Sequence, residues 1–342
     1  YTTTGSANAN TGTIIVTGLK SAGVYNTGKF TSTGGSINAT NSGIAVYADG
    51  SASSTVINNG NITVGSGSTA FYGNNGAVIT LNNPTINVNN GGLLYYRGGT
   101  TGSLSGTATA NIAGGATAFY ITGGTLATLG QLVSGGPLNL TMSSGSTLVG
   151  WDSPSGTIAT SSSLNTSSLT GVSVTGSGYS NFLVNKAKVE VDTNLDLDLY
   201  NGRYFASSDF VSSDVKVKAG SSITGTQNGQ AAIAQRNYAG GVVSGINLIN
   251  EGTITLSGDD STAIAGDFAT ISNNSSGIIE ITGDKSVGLF GANSSLVTNA
   301  GTIDIKTAAT GKSGVGIYGA NRFDSSSMAY GSKGIDITNT GT

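Results

Sequence analysis

Hydrolytic chemistry on a sugar or peptide bond needs paired carboxylates, and two places in this sequence supply them: Asp196 with Asp198, and the adjacent Asp259 and Asp260. Glycosidases hold two carboxyl groups about 5 to 9 Å apart. Residues i and i+2 of a strand share a face at about 7 Å, so Asp196 and Asp198 satisfy that spacing on paper. Their surroundings argue otherwise. Between Lys186 and Tyr200 the apolar residues Ala187, Val189, Val191, Leu195, Leu197 and Leu199 alternate with Lys186, Lys188, Glu190, Asp192, Asp196 and Asp198, so the two aspartates are expected on a solvated face. Asp259-Asp260 follows Ser257-Gly258, where aspartate is expected to accept backbone N–H groups in a turn. The chain has no histidine and no cysteine, which removes imidazole bases, thiolate nucleophiles and the usual soft metal ligands. No calcium-loop phrase is present, and neither a metal site, a cofactor nor an enzymatic activity is expected.

Binding is better served. All four arginines lie within two residues of an aromatic: Tyr96-Arg97, Arg203-Tyr204, Arg236 with Tyr238, and Arg322-Phe323. A planar fork of donors beside a flat ring is a frequent composition of interface hot spots. The candidate ligand-binding residues are therefore Arg322, Phe323, Asp324, Tyr330, Arg203, Tyr204, Arg236 and Tyr238. Trp151, the only tryptophan, joins them because Gly150-Trp-Asp-Ser-Pro154 resembles a turn.

The elements that must carry these residues follow from a repeat. Tyrosines at 47, 72, 96 and 120 end small or apolar runs, with gaps of 25, 24 and 24. Isoleucines at 37, 62, 86 and 112 keep a similar period, with gaps of 25, 24 and 26. Near the C-terminus the phrase recurs as Asn250-Glu-Gly-Thr-Ile254, Ser276-Gly-Ile-Ile279 and Asn299-Ala-Gly-Thr-Ile303. Each unit holds apolar runs of four to six residues, cut by Gly, Asn, Ser and Asp, which describes short strands between turns. Such units stack, each strand pairing with its equivalent one coil along. The expected fold is all-β: a right-handed parallel β-helix of about 24 residues per turn, with loop excursions. The period is too short for a propeller blade, and a sandwich would not repeat its markers.

Composition fits this reading. Glycine contributes 55 of 342 residues, and only 9% are charged. The net charge is −3 with no basic run, so nucleic acid is not an expected partner. Residues 1–342 read as one β-helical segment with three stretches. Residues 1–185 are charge-poor regular coils; 186–245 are irregular and more charged, a separate small domain being the alternative. Residues 246–342 are regular coils, with a long insertion near 319–338. That insertion shows in the spacing, since the phrase at Asn299 returns only at Asn339, and insertions in repeat proteins become loops on one face. The equivalent tyrosines are expected to stack into a scaffolding ladder. The final phrase, Asn339-Thr-Gly-Thr342, reads as part of a continuing repeat.

The phrase Asn-x-Gly-x-Ile followed by Ser-x-Gly-Ile/Leu-Tyr/Phe-Gly resembles the passenger repeats of large bacterial autotransporter adhesins of the fusobacterial type. It is carried by Asn299-Ala-Gly-Thr-Ile303 with Ser313-Gly-Val-Gly-Ile-Tyr-Gly319, by Gly277-Ile-Ile279 with Ser286-Val-Gly-Leu-Phe-Gly291, and more loosely by Asn58-Asn-Gly-Asn-Ile62 with Ser68-Thr-Ala-Phe-Tyr-Gly73. It covers roughly 30–120 and 245–342. The resemblance implies an extracellular, bacterial cell-surface protein, monomeric, and tethered to the outer membrane only through a C-terminal β-barrel outside this sequence. It further implies adhesion to a host cell-surface glycoprotein or receptor, or to the surface of a partner bacterium. The alternatives are a structural stalk with no ligand of its own and a glycan-degrading enzyme on the same scaffold.

Overall fold

Short β-prone runs bounded by glycine and asparagine become short strands joined by tight corners. The computed structural model describes residues 2–3, 7–98, 101–122, 131–152, 161–163, 171–185, 188–192, 194–198, 204–207, 214–235, 246–306, 313–320, 323–324, 329–330 and 335–342. The protein is a β-solenoid of parallel strands, a parallel β-helix. Two compact units are distinguished, residues 1–154 with 167–180, and 155–166 with 181–342.

In the first unit a coil runs through Ile44–Asp49, Ser54–Asn58 and Asn61–Val64, and each strand pairs in parallel with its counterpart one coil along. The register places Tyr25, Tyr47, Tyr72, Tyr96 and Tyr120 in one column. Inward columns form the core: Val24, Val46, Phe71, Tyr95, Phe119 and Val149 on one face, and Ile37, Ile62, Ile86, Ala110 and Leu140 on another, all buried. Burying each of the larger aliphatic or aromatic members contributes roughly 1.5–3 kcal/mol. Ile112 does not belong to the second column. It pairs with Val88 instead, two residues further along the same inward face than the Ile86–Ala110 pair. The gap of 26 in the isoleucine spacing is thus the local 24-residue register plus those two residues.

The second unit repeats the plan with separate sheets for each face. Thr262–Asp267, Ala269–Asn273 and Ile278–Ile281 make one coil, and Ser286–Ala292, Leu296–Asn299 and Thr302–Ile305 the next. Alternation is clean in Thr253–Leu256, where Ile254 and Leu256 are buried while both threonines are half-buried. The charged stretch divides into two strands, Lys188–Val191 and Asn194–Asp196, broken at exposed Asp192. Both pair in parallel within the solenoid, with Asp214–Val217 and Ser222–Gly225.

The Asn-x-Gly-x-Ile phrase is a corner. Asn250, Asn273 and Asn299 are buried and form a ladder in which Asn250 Nδ2 donates to Asn273 Oδ1 at 2.9 Å and Asn273 Nδ2 to Asn299 Oδ1 at 2.8 Å. Each amide also turns back on its surroundings. Asn250 Oδ1 accepts the Gly252 N–H at 3.2 Å, and Asn273 Nδ2 donates to the Thr302 carbonyl at 3.2 Å. The glycine is required by close approach, since a Cβ at Gly301 would collide with the carbonyl oxygens of Asn274 and Gly277. Asparagine also fills corners where the backbone is left-handed, as at Asn41, Asn59, Asn75 and Asn83, with φ between 50° and 59°.

Candidate functional site

Polar and aromatic side chains reach solvent along the face built from Ala22–Asn26, Ile44–Asp49, Thr69–Asn74, Leu93–Gly98 and Thr117–Thr122. Two consecutive residues, Ala45 and Val46, point inward on Ile44–Asp49, which turns Tyr47 outward; Phe71 and Tyr95 do the same for Tyr72 and Tyr96. The outward rings stack face to face, with centroids 5.1, 4.5, 4.5 and 5.5 Å apart from Tyr25 to Tyr120. The tyrosines thus form the ladder expected of them, on the outside of the coils. Each ring covers its neighbour, so the column offers solvent a row of ring edges and hydroxyls.

Those hydroxyls are held by a polar stripe. Tyr25 OH donates to Asp49 Oδ2 at 3.4 Å, Asn74 Nδ2 donates to Tyr47 OH at 3.2 Å, and Asn74 and Asn75 both donate to Asp49 Oδ1, at 3.2 and 2.7 Å. Partial burial raises the pKa of Tyr47, with the Asp49 charge adding to it. Burial, together with the neighbouring Tyr96 and Tyr47, pushes Tyr72 up to about 12. Both phenols stay neutral across the physiological range.

Arg97 adjoins Tyr96 in sequence but not in space. Successive residues of a strand face opposite ways, so Tyr96 is outside while Arg97 is fully buried. The Tyr96-Arg97 pair is therefore not an interface anchor. Nε, Nη1 and Nη2 of Arg97 have no hydrogen-bond partner among the described residues, and neither has the buried Tyr95 hydroxyl. Burial lowers the Arg97 pKa, an effect opposed by Tyr95.

Trp151 departs from expectation. It lies in the strand Thr147–Asp152 rather than in a turn, paired with Ile121, and is 4% exposed. The position continues the inward column of Arg97 and Ile121, and so little exposed surface gives a ligand no purchase. Arg203, Arg236, Tyr238 and Arg322 lie outside the described residues. Tyr204 begins the strand Tyr204–Ser207, which pairs in parallel with Ala231–Gln235. Phe323–Asp324 pairs antiparallel with Ala329–Tyr330, bringing the candidates Phe323, Asp324 and Tyr330 onto one short hairpin.

The carboxylate pairs are engaged in corners. Asp196 Oδ1 accepts the Asp198 N–H at 2.9 Å, while Asp198 accepts the Thr226 N–H and hydroxyl at 2.8 and 2.6 Å and the Gln230 amide at 2.6 Å. Asp198 stands beyond the strand that ends at Asp196, so the two do not share one strand face. Asp260 has a left-handed φ of 55°, and Asp259 Oδ1 accepts the Asp284 N–H at 2.7 Å. Among the described residues no cluster of three or more acidic residues could hold a metal ion.

The second unit contains a feature that no aromatic marker announces. Thr262-Ala-Ile-Ala-Gly-Asp267 follows the pattern of Ile44-Ala-Val-Tyr-Ala-Asp49, with alanine where the tyrosine stands. Its outward column runs Ala234, Ala265, Phe290, Tyr318. Phe290 and Tyr318 stack at 5.7 Å, and beside them, over the two alanines, lies a cavity of about 380 Å³. A search for aromatics passes over it; the legible signal is the shared pattern with the ring missing. Comparison with protein-family models, curated proteins and solved structures finds no match to this chain.

Proposed function

We propose that the chain is part of an extracellular, cell-surface adhesin of the autotransporter-passenger type, whose coils present a ligand-binding excursion. One observation carries this reading. The Asn273 to Asn299 step takes 26 residues, but the column resumes at Asn339 only after 40, in register and with Asn299 Nδ2 donating to Asn339 Oδ1 at 2.8 Å. Among the described residues the longer step adds one pair to the coil strands, Phe323–Asp324 with Ala329–Tyr330, antiparallel where the coils are parallel. A sequence that keeps such an insertion on a regular stack uses it for recognition. The partner is a host surface glycoprotein or receptor, or the surface of another bacterium, and the passenger acts as a monomer without enzymatic activity.

The test is adhesion of the immobilised chain to host cells and to partner bacteria. Arg322→Ala and Phe323→Ala together are expected to reduce adhesion about tenfold or more, a loss of ~1.4 kcal/mol or greater, as for hot-spot residues. Thermal melting should remain unchanged. Undiminished adhesion by the double variant rejects this site. A structural stalk is the second reading, favoured by the buried asparagine ladder and the stacked tyrosines, and it requires that the wild-type chain bind neither surface.

A further inference from the structure

We propose that the cavity over Ala234 and Ala265 is a binding site for a tyrosine side chain presented by a partner protein. The first unit shows what this architecture places at such a position. There the ring of Tyr47 stacks on Tyr72 at 4.5 Å. Asp49, two residues after Tyr47, accepts a neighbouring phenol at 3.4 Å, and an amide nitrogen, Asn74 Nδ2, donates to the Tyr47 hydroxyl at 3.2 Å. The second unit keeps the aspartate and lacks the ring, with Ala292 at the register position of Asn74 and a different amide, Gln235, lining the space. Ala265 stands at the ring position, Asp267 follows two residues later, and Phe290 in the next coil has a ring neighbour, Tyr318, on one side of the column only.

The polar groups are set for a phenol. Gln235 lines the cavity and is 3% exposed, and its Oε1 accepts the Asp267 N–H at 2.7 Å. That bond fixes the orientation of the amide, so Nε2 is the atom left over, and it has no partner among the described residues. An unsatisfied buried N–H costs about 1–3 kcal/mol, which an incoming acceptor relieves. Nε2 is itself buried, so in the proposed complex the Gln235 amide shifts toward the cavity; a phenolic hydroxyl then accepts from it and donates to the Asp267 carboxylate, which Asn293 Nδ2 already holds in place at 2.8 Å. A ring over Ala265 lies one coil, about 4.8 Å, from Phe290, within the stacking range of aromatic pairs. The volume of about 380 Å³ falls among small-ligand pockets, commonly ~300–1,000 Å³.

Charge narrows the choice. Asp260 and Asp267 both line the cavity, and no lysine or arginine does so among the described residues. A neutral phenol is accepted, whereas a phosphorylated or sulfated tyrosine meets like charge. Phenylalanine stacks but leaves the Gln235 nitrogen unpaired.

The experiment titrates the full chain with N-acetyl-L-tyrosinamide, followed by NMR chemical-shift changes. Parallel titrations use N-acetyl-L-phenylalaninamide, the O-phosphorylated tyrosinamide and methyl β-D-galactoside. Saturable binding of the tyrosinamide is expected, with the phenylalanine analogue weaker by about tenfold, the scale of one hydrogen-bonded group. The phosphorylated probe and the glycoside should not bind. Ala265→Tyr fills the position with the chain's own ring and should abolish binding. Asp267→Asn keeps an acceptor for Asn293 and should weaken binding severalfold, giving a second readout if Ala265→Tyr fails to fold. The proposal is overturned if the tyrosinamide does not bind, if it binds Ala265→Tyr equally well, or if the glycoside competes for the site. None of these outcomes depends on the adhesion test at Arg322 and Phe323.

Discussion

Replacing Asn273 by alanine is expected to lower the unfolding free energy by about 2–5 kcal/mol, a large share of the ~5–15 kcal/mol that holds most domains together. The side chain is buried and serves three partners: Asn250 Nδ2 donates to its oxygen, and its nitrogen donates to Asn299 Oδ1 and to the Thr302 carbonyl. Alanine removes all three bonds and leaves their partners without water to replace them. Each orphaned buried group costs roughly 1–3 kcal/mol. Asn111→Ala is the control. It deletes an exposed rung, Asn111 Nδ2 to Asn87 Oδ1 at 2.9 Å, whose groups can turn to solvent, and a change within ~0.5 kcal/mol is expected. Urea unfolding of the two variants beside the parent reads the difference. Equal effects would show that the corner ladder is not what the Asn-x-Gly phrase contributes.

The second large effect has the opposite sign. Arg97→Met is expected to stabilise the chain by about 1–4 kcal/mol, the range seen when buried ionic groups give way to apolar ones of similar volume. Arg97 is fully buried with no hydrogen-bond partner among the described residues, so its desolvation is uncompensated there. Methionine follows the same path through the core and carries no charge. The pH dependence supplies a check. Burial lowers the Arg97 pKa below its unfolded value, so the folded state releases the proton first and the parent's penalty eases as pH rises past the folded pKa. The advantage of the Arg97→Met variant should therefore shrink toward high pH. Destabilisation by the substitution at neutral pH contradicts this account of Arg97.

Much of the fold is legible in the sequence because the coils carry like residues at a fixed period. Tyr47, Tyr72, Tyr96 and Tyr120 do form one column, and Ile254 pairs with Ile279 and Ile279 with Ile303 as their spacing implies. What is not legible is which side of the sheet each residue faces. A strict two-residue alternation would settle it, but Ala45 and Val46 are buried in succession, as are Ala70 and Phe71, so the period-two rule fails at those bends. Arg97 and Trp151 escape a reading by residue type for that reason, since both occupy the same inward column after a bend. The cavity beside Phe290 is hidden differently. It is defined by the absence of a ring at Ala234 and Ala265, and a list of chemically capable residues does not contain alanine.

Side-chain crosslinking tests the stacking itself. The chain has no cysteine, so pairs can be introduced without background. Tyr72 and Tyr96 pair in register on adjacent strands, where Cα atoms about 4.8 Å apart fall within the ~4.4–6.8 Å that a disulfide spans. Tyr47 and Tyr96 are two coils apart, at about twice that distance. Mild oxidation of the Tyr72→Cys, Tyr96→Cys variant should close an intramolecular disulfide in most molecules, while the Tyr47→Cys, Tyr96→Cys variant should remain reduced or link only between molecules. Efficient closure of the second pair, or failure of the first in a folded chain, would contradict the one-coil register.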